Sequence, residues 1–413
     1  MSNKDNLPKE NEKEKEKEKE NKIEEKEEEV KQVVTTTKVV AGKEGVDYVK
    51  IVEEFGMQLI TDPMIEKMGK LSKTPLHHWI KRGLFFSHRN LDQLLDKYEK
   101  GEPFYLYTGR GPSSESMHLG HLIPFMMTKW LQDAFGCPCV IQLTDDEKFL
   151  WNPKLTLEKV HQFMIENAKD IIACGFDPEK TFIFSDMNYI GEMYPNICKI
   201  RKILTFNQVR STFGFTKSSN IGQIAFSAVQ AAPAFSSSFP KLFADKKKVN
   251  CLIPCAVDQD PYFRLTRDIA PKLKEKKPSL MCSKFIPSLL GLNEKMSSSN
   301  PNSAIFLTDT PNQIRNKINK YAFSGGGDTI EEHRKNGANL KVDIPFHYLK
   351  IFHPDQERIE QIRKDYGSGQ MLTGEVKKEL ISILQDIVKK HQENRKAITD
   401  EVLQKFMTPR QLV

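Results

Sequence analysis

Two histidines in this 413-residue sequence have surroundings that suit phosphate chemistry. His118 and His121 follow residues 109–116, a turn rich in glycine, proline and serine. Apolar residues at helical spacing begin at Met117, so both histidines lie at a helix start, where unpaired N–H groups favour phosphate. Gly120 leaves room for a flat ring or a sugar beside the backbone. The same pattern also fits a capped helix with two surface histidines.

A lysine far downstream offers a mobile positive charge. Lys295 begins a Lys-Met-Ser-Ser-Ser run, residues 295–299, with an asparagine close to each end. This composition predicts a flexible loop with one cation and several hydroxyl donors. Taken alone, the run fits an ordinary flexible surface loop better than a binding site.

Four short apolar runs predict buried strands of a sheet. They are Phe104–Tyr107, Val140–Thr144, Phe182–Phe184 and Cys251–Val257. The helical patterns His118–Phe135 and Leu157–Cys174 alternate with these runs, which predicts a parallel, doubly wound sheet. Ligands of such sheets bind at the carboxyl ends of strands. The polar segments Asp145–Lys148 and Asp258–Asp260 each follow a strand directly and are therefore functional candidates, although Asp145–Lys148 fits a solvated loop equally well.

The pattern predicts three parts of the chain. Residues 1–45 form a charged tail, and residues 46–310 form the α/β domain, with a mostly helical insertion at about 186–248. Residues 311–413 read as helices, which predicts an appended helical bundle. Within the insertion, Gln230 lies among small apolar residues, so its amide either pairs with backbone or contacts a ligand.

The start of the α/β domain carries weaker signals. Val46–Val52 and Met57–Ile60, separated by a glycine, predict two short strands. Phe85–Arg89 is interpreted as a turn that leads into the helix Leu91–Tyr98.

Charge is unevenly distributed along the chain. The net charge is +7, but residues 1–32 contain nine lysines and twelve acids, so the remainder carries +10. A basic body suits a polyanion such as RNA, or simply a soluble surface. The tail lacks an apolar stripe, which predicts disorder or a lone solvated helix; a solvated tail is favoured over a tether for RNA or for assembly.

Composition also excludes some classes of protein. No apolar run has the length of a membrane span, and the charged N-terminus does not resemble a signal peptide, so we expect no membrane association and a cytoplasmic location. The seven cysteines match no zinc spacing. We therefore expect reduced, mostly buried thiols and no metal site built by the protein.

The two segments at 118–121 and 295–299 resemble the His-x-Gly-His and Lys-Met-Ser-Lys-Ser signatures of class I aminoacyl-tRNA synthetases. Their order and their separation of about 175 residues fit this family. Ser298 replaces the second lysine of the family's loop, so only Lys295 matches a phosphate-binding lysine.

Further blocks resemble the eukaryotic cytoplasmic tryptophanyl-tRNA synthetases within that class. They are Tyr107–Ser114, Met117–His118, Thr144–Lys148, Glu166–Gly175, Thr205–Gln208, Gln230–Pro233, Asp258–Arg264, Ala322–Gly326 and Asp328–Arg334. The resemblance implies a Rossmann-like catalytic domain, a helical anticodon-binding domain and a homodimer. It also implies that ATP, with Mg²⁺ on the pyrophosphate oxygens, drives the ligation of L-tryptophan to tRNA(Trp) through tryptophanyl-adenylate.

The same resemblance assigns roles to individual residues. The implied catalytic residues are His118, His121 and Lys295. The implied ATP-binding residues are Arg110, Gly120, Lys148, Met296, Ser297 and Ser299. The implied tryptophan-binding residues are Tyr107 and Gln142 at the indole N–H, and Glu147, Gln230 and Gln259 at the α-ammonium. In the helical part, the residue types that could bind single-stranded RNA are Lys317, Lys320, Tyr321, Phe323, Arg334 and Lys335.

Two other functions compete with this interpretation. A free-standing adenylyltransferase would share the first signature but would lack the late lysine loop and the helical bundle. A synthetase-derived signalling or RNA-binding protein would have lost pocket or signature residues. Pyrophosphate exchange that depends on tryptophan separates the three.

Overall fold

The computed structural model describes residues 32–34, 39–40, 45–243, 248–298 and 300–412. The predicted tail, residues 1–45, lies outside these ranges apart from two short pieces and Gly45. Ser299, an implied ATP-binding residue, also lies outside them.

The strands of the described residues form one large sheet and two small hairpins. In chain order they are β1 (Val33–Val34), β2 (Val39–Val40), β3 (Gln58–Leu59), β4 (Phe85–Arg89), β5 (Phe104–Arg110), β6 (Cys139–Leu143), β7 (Thr181–Ser185), β8 (Asn250–Ala256), β9 (Ser279–Ser283), β10 (Pro287–Ser288) and β11 (Gly291–Lys295). The large sheet has the order β3-β4-β9-β8-β5-β6-β7, while β1 pairs with β2 and β10 pairs with β11.

The predicted parallel, doubly wound sheet is confirmed for five of the seven strands. From β9 to β7 every pair is parallel, whereas β3 and β4 add an antiparallel edge. The strand order reverses between β5 and β8, which pair side by side with Leu106 opposite Leu252. Open α/β sheets bind ligands at such a point of reversal, at the carboxyl ends of the strands.

Helices cover the sheet and make up most of the C-terminal part. In chain order they are α1 (Tyr48–Phe55), α2 (Asp62–Leu71), α3 (His78–Lys81), α4 (Leu91–Glu99), α5 (Leu119–Phe135), α6 (Asp145–Trp151), α7 (Leu157–Ile172), α8 (Asp186–Ile203), α9 (Phe206–Phe213), α10 (Ile221–Ala231), α11 (Asp260–Ile269), α12 (Pro311–Tyr321), α13 (Ile330–Asn336), α14 (Ile344–Phe352), α15 (Gln356–Gly367), α16 (Thr373–Lys396) and α17 (Asp400–Met407).

The strand predicted at Val46–Val52 is wrong, because most of that segment belongs to α1. Asp47 caps the helix: its Oδ1 accepts hydrogen bonds from the backbone N–H groups of Val49 and Lys50 at 3.0 and 3.1 Å. Gly56 ends the helix with φ of 61°, a left-handed conformation that favours glycine. The β-branched composition suggested a strand, but the caps and the tertiary packing decided for a helix.

The turn predicted at Phe85–Arg89 is also wrong, because this segment is strand β4. It pairs antiparallel with β9, a strand that the sequence did not predict. Four of the five residues in β4 are buried, since helices cover the sheet here. A two-sided buried strand lacks the alternation that marks a half-exposed one.

The predicted C-terminal helices are confirmed, and their core continues into the sheet layer. Along α16 the buried residues are Val376, Leu380, Leu384, Val388 and His391. One hydrophobic core contains the four apolar side chains of this set together with residues of β5, α5 and α7. Asp170 of α7 ties the layers together, because its Oδ1 accepts from Arg395 Nε at 2.7 Å.

The cysteines and helices of the described residues bear on three expectations, which are reduced thiols, no metal site built by the protein and no membrane association. All seven cysteines are free, and five are buried, as expected. No described group of three or more His, Cys, Asp or Glu could hold a metal ion. Among the helices in the described ranges, none combines the length and the apolar character needed to cross a bilayer.

Candidate active site

A cavity of about 480 Å³ opens at the carboxyl ends of β5 and β8, where the strand order reverses. It brings together residues that are up to 188 positions apart in the chain, from Thr108 to Met296. Ten predicted site residues line it: Arg110, His118, Gly120, His121, Glu147, Lys148, Gln230, Gln259, Lys295 and Met296. The two sequence signatures therefore meet in one cavity.

The two histidines stand at the start of α5, and the alternative of two surface histidines is wrong. The ring of His118 is 3% exposed and stacks on that of His121, with centroids 3.5 Å apart. The backbone N–H of His118 donates to His121 Nδ1 at 3.4 Å. His118 Nδ1 is buried without a hydrogen-bond partner among the described residues. It can therefore bind a polar ligand atom in the cavity.

Both imidazoles are neutral at pH 7. Burial lowers the pKa of His118 to about 3, and the charges of Arg110 and Lys295 add to the effect. The pKa of His121 is lowered well below its usual value, again mainly by burial. The histidines therefore act as hydrogen-bonding groups, while the cations that line the cavity are Arg110, Lys148, Lys284 and Lys295.

The helix start and the lysine loop touch each other. The backbone N–H of Gly120 points at Met296 Sδ, 3.4 Å away. A Cβ atom at Gly120 would lie 3.1 Å from the His118 ring and 3.6 Å from Met296 Cβ. A Cβ atom here would therefore press on the His118 ring, which would have to shift by a few tenths of an ångström, so glycine favours this close approach.

Arg110, at the end of β5, has a guanidinium nitrogen without a hydrogen-bond partner among the described residues. Its Nε donates to Asn167 Oδ1 at 3.2 Å, and its Nη2 is buried without a partner among the described residues. Burial lowers the pKa of Arg110 to about 10, opposed by Glu147 and Asp170, so the guanidinium stays charged at pH 7. An anion in the cavity would pair with this group.

Two of the three lysines that line the cavity are paired with carboxylates. Lys148 Nζ lies 2.9 Å from Glu147 Oε1, and Lys295 Nζ lies 3.0 Å from Asp258 Oδ2. Lys295 ends the hairpin of β10 and β11 and also lies over the ring of Phe285, 5.5 Å from its centroid. Both lysines are partly exposed, so either can exchange its carboxylate for a phosphate.

Met296 and Ser297, which follow Lys295 in the chain, differ in their position relative to the cavity. Met296 is buried and lines the cavity. Ser297 is not among the lining residues, and its backbone oxygen accepts from Ser303 Oγ at 3.1 Å. The structure therefore brings Met296, but not Ser297, to the cavity surface.

Three residues implied at the α-ammonium line the cavity. Glu147 Oε2 accepts from Thr144 Oγ1 at 2.7 Å, and Gln259 Nε2 lies 3.4 Å from Asp258 Oδ1. The helix α6 begins at Asp145, which is 2% exposed, so the solvated-loop interpretation of this segment is wrong.

Tyr107 and Gln142 lie beneath the cavity instead of lining it, and both are fully buried. The Tyr107 hydroxyl donates to Gln142 Oε1 at 2.5 Å. It also accepts from Gln230 Nε2 at 3.1 Å, and Gln230 lines the cavity. Gln230 thus separates the buried pair from the open space.

Two buried residues hold site residues in place and were not predicted. Asn167 of α7 accepts from Arg110 and donates to the backbone oxygen of Ser114 at 2.8 Å. Asp186, at the start of α8, accepts from Gln142 Nε2 at 2.7 Å through its Oδ1. Asn167 carries no local signal. Asp186 directly follows strand β7, so the rule that singled out Asp145 and Asp258 could have found it.

The RNA-binding candidates of the helical part are only partly free. Lys317 forms an ion pair with Asp309 at 2.7 Å, and Arg334 donates to the backbone oxygen of Gly369 at 2.8 Å. Phe323 is half exposed, and Lys320 Nζ lies 5.2 Å from the ring centroid of Tyr321. Lys335 is exposed. An exposed aromatic ring and free lysines are the more suitable partners for unpaired bases.

Comparison with known proteins gives consistent matches. Residues 99–389 match the family model described as tRNA synthetases class I (W and Y). The cytoplasmic tryptophan–tRNA ligase of Mus musculus is 58% identical over 372 residues, which cover 89% of this chain and 77% of that protein. The solved tryptophanyl-tRNA synthetase of Plasmodium falciparum is 50% identical, with a TM-score of 0.83 and coverage of 88% and 95%. That of Encephalitozoon cuniculi, solved bound to tryptophan, is 45% identical, with a TM-score of 0.82 and coverage of 88% and 98%.

Proposed function

The chain belongs to the class I tRNA synthetases of the tryptophan and tyrosine family, and from that premise we propose that it ligates L-tryptophan to tRNA(Trp). ATP is the second substrate, and tryptophanyl-adenylate is the intermediate. The observation that carries the proposal is that His121 and Lys295 line one cavity beside Arg110 and Glu147.

The first step is attack of the tryptophan carboxylate on the α-phosphorus of ATP. A bond forms between a carboxylate oxygen and the α-phosphorus, the bond from that phosphorus to the bridging oxygen breaks, and pyrophosphate leaves. The carboxylate is already ionised at pH 7, so no general base is needed. Catalysis then consists of placing the reactants and stabilising charge on the phosphate oxygens.

The phosphate-binding role falls to the start of α5 and to three cations. The unpaired Nδ1 of His118 and Nη2 of Arg110 supply hydrogen-bonding groups without breaking any existing bond. His121 adds a second neutral imidazole. Lys148 and Lys295 reach the phosphates by leaving Glu147 and Asp258. Gly120 and Met296 shape the floor under the nucleotide. Ser297 and Ser299 remain proposals on resemblance alone.

Magnesium belongs to this proposal through ATP. Mg²⁺ bound by nucleotide phosphates neutralises part of their charge, and it usually keeps several waters with only one or two protein carboxylates. Glu147 and Asp258 line the cavity, so carboxylates suitable for such a role are close to the phosphate-binding groups.

The amino acid occupies the side of the cavity near Gln230. Its ammonium requires acceptors, and Glu147, Gln230 and Gln259 provide a carboxylate and two amide oxygens there. The indole N–H requires one fixed acceptor, which Gln142 or Tyr107 provides once Gln230 moves off the Tyr107 hydroxyl. A site with such an acceptor rejects tyrosine and phenylalanine because the acceptor is left unpaired.

The second step transfers tryptophan to the tRNA. The terminal ribose 2′-hydroxyl, as is usual in class I, attacks the adenylate carbonyl and releases AMP. We assign the chemistry to a catalytic domain of residues 46–310 and anticodon binding to the helices of residues 311–413. The half-exposed Phe323 and the lysines of α12 support the second assignment.

We further propose that the chain acts as a homodimer in the cytoplasm. Large apolar side chains are exposed on the helices α6, α8, α9 and α10, which pack against one another. They are Phe149, Met187, Tyr194, Phe206 and Ile221, the last being 79% exposed. A second copy of the chain would cover such a face with two-fold symmetry. Sedimentation of the full chain at the monomer mass would refute the dimer.

One assay tests the function. Radiolabelled pyrophosphate should exchange into ATP only when tryptophan is present, and tRNA(Trp) should then become charged. Exchange without any amino acid would indicate a free-standing adenylyltransferase. Binding of RNA without exchange would indicate a protein that has lost the synthetase activity.

A further inference from the structure

Asp186 occupies a position that connects it directly to the indole side of the site. It is the first residue of α8, immediately after β7, and its side chain is fully buried. Its Oδ1 accepts from Gln142 Nε2 at 2.7 Å, while its Oδ2 is buried without a hydrogen-bond partner among the described residues. In the parallel pairing of β6 with β7, Gln142 lies opposite Phe184, two residues before Asp186. This register brings the side chains of Gln142 and Asp186 together.

The contact matters because a glutamine amide has two different ends. Its oxygen accepts hydrogen bonds and its nitrogen donates them, and a half-turn exchanges the two. A carboxylate only accepts, so Asp186 selects the orientation in which the Gln142 nitrogen faces it. The Gln142 oxygen then faces the Tyr107 hydroxyl, 2.5 Å away.

The observed orientation is kept on protonation of Asp186 when the proton is on Oδ2, the oxygen that is not bonded to Gln142. Burial raises the pKa of Asp186 well above its usual value, and the nearby charge of Asp146 raises it further, so the pair tends to retain a proton. A carboxyl group that holds a proton on one oxygen still accepts on the other. The neighbouring Asp145 cannot replace it, because Asp145 already accepts from Ser185 Oγ at 2.5 Å and from the N–H of Met187 at 3.2 Å.

We propose that Asp186 is a positioning residue for amino acid selection: by fixing the Gln142 amide, it presents an acceptor to the indole N–H. The inference rests on the proposed function and deepens it. Asp186 does not touch the substrate, and its effect is to make the site select a ring that carries an N–H donor.

An isosteric substrate pair measures this preference. β-(3-Benzothienyl)alanine has a sulfur atom in place of the indole N–H and nearly the same shape. Leaving a buried acceptor unpaired costs about 1–3 kcal/mol, so the wild-type chain should prefer tryptophan over the analogue by roughly 10–10² in kcat/KM for pyrophosphate exchange.

The variant Asp186→Asn tests the positioning role. Its side-chain amide can donate to the Gln142 oxygen, which allows the Gln142 amide to turn and present its nitrogen to the slot. The tryptophan-to-analogue ratio should fall by about tenfold or more, with KM for ATP unchanged. An unchanged ratio in a folded variant would overturn the proposal.

A double variant tests whether the preference for tryptophan can be restored. In the double variant Gln142→Glu with Asp186→Asn, the asparagine donates to one glutamate oxygen and the other oxygen faces the slot as an acceptor. The preference for tryptophan should return to near the wild-type ratio. The preference for tryptophan could fall in the single variant and stay low in a folded double variant. That result would show that Asp186 does not act through the Gln142 amide.

Asp343→Asn is the matched control. Asp343 is also fully buried, but it accepts from Tyr366 and from backbone N–H groups in the helical part and does not line the cavity. Its variant should lose thermal stability and keep the ratio. A similar fall in the control would attribute the effect of Asp186 to general destabilisation.

Failure of this inference and failure of the proposed function give different results. Absence of tryptophan-dependent exchange in the wild type refutes the function, whereas normal exchange with an unchanged Asp186→Asn ratio refutes only the positioning role. If neither Asp186 variant folds, a structure of the wild-type chain with tryptophan decides: an Asp186 oxygen within about 3.2 Å of Gln142 Nε2 supports the proposal, and a longer separation overturns it.

Discussion

The phosphate side and the indole side of the candidate active site differ in how their polar groups are paired. On the phosphate side, His118 Nδ1 and Arg110 Nη2 are buried without partners among the described residues. On the indole side, the hydroxyl of Tyr107 and the amide of Gln142 are joined to each other and to their neighbours. The phosphate side therefore offers two free hydrogen-bonding groups beside lysines that exchange an ion pair, whereas on the indole side the groups of Tyr107 and Gln142 must exchange existing bonds for new ones.

The difference indicates two ways of recognising a ligand. Free donors in a preformed cavity cost no rearrangement when the anion arrives, which suits a substrate whose charge has to be stabilised. A closed, fully paired network admits only a ligand that replaces the bonds it breaks, which suits discrimination between similar rings. We infer that ATP meets a preorganised surface and that tryptophan has to open its own slot.

The largest expected effect would test the phosphate side. Lys295→Ala should lower the rate of tryptophan activation by roughly 10²–10³, because a cation that stabilises the transition state is lost. Tryptophan binding should be retained. Lys284→Ala is the matched control, since Lys284 also lines the cavity but lies over the rings of Tyr48 and Phe86. Stopped-flow measurement of adenylate formation gives both rates, and an unchanged rate in Lys295→Ala would remove this lysine from the transition state.

The indole side predicts a loss of selectivity rather than of rate. The double variant Tyr107→Phe with Gln142→Ala should reduce the preference for tryptophan over tyrosine and phenylalanine by roughly 10², because two buried hydrogen-bonding groups are removed. Tyr105→Phe is the control: Tyr105 lies on the same strand, is equally buried, and donates to the backbone oxygen of Pro233 at 2.9 Å. Competitive pyrophosphate exchange measures the ratios, and retained selection would show that the indole is recognised elsewhere.

The neutral histidine of the phosphate side predicts a pH dependence of stability. Burial lowers the pKa of His118 to about 3 in the folded chain, whereas the unfolded chain takes up a proton near pH 6.5. Lowering the pH from 7 to 5 therefore favours the unfolded state, by about 2 kcal/mol for this histidine. His118→Asn should lose less stability over that range than the wild type. Urea unfolding at the two pH values measures the free energy of unfolding of each protein. Equal losses of stability in the wild type and the variant would contradict a buried neutral imidazole.

The smallest effect concerns the support of Arg110. Asn167→Ala should raise KM for ATP by about 3–10-fold, because the guanidinium loses its hydrogen bond to Asn167 and becomes less well positioned. KM for tryptophan should not change. Asn196→Ala controls for the loss of a buried asparagine, since Asn196 donates to Ser237 and Ser238 outside the cavity lining. Steady-state exchange kinetics separate the two KM values, and equal changes in both would refute a specific role.

The residues of the proposed phosphate side could largely be identified from the sequence, because they lie in local patterns. A strand, a turn and a helix start follow one another at residues 104–121, and the lysine loop is short and contiguous. What the sequence did not contain was the pairing of these groups, such as the contact between Gly120 and Met296, which depends on tertiary packing.

The indole side was predicted only through resemblance. Tyr107 and Gln142 sit inside apolar strands, where nothing in the local pattern distinguishes a buried polar residue with a role from one that is simply satisfied. Asp186 and Asn167 act through partners that are 44 and 57 positions away, so no spacing rule could connect them.

The fold shows the same division between local and distant information. Four of the five parallel strands contain short apolar runs and the long helices have periodic patterns, and these elements were predicted correctly. The segments Tyr48–Phe55 and Phe85–Arg89 were not, because a cap and a buried edge of the sheet decided their conformation. The unpredicted strand β9 is needed to join the antiparallel edge to the parallel strands.

A crystal structure of the chain with tryptophan alone would test the contrast between the two sides most directly. We expect Gln230 to leave the Tyr107 hydroxyl, the indole nitrogen to lie within about 3.2 Å of Tyr107 or Gln142, and Arg110 and His118 to move by less than about 1 Å. A bicyclic ring bound elsewhere in the cavity, with the bonds between Tyr107 and Gln230 intact, would contradict it.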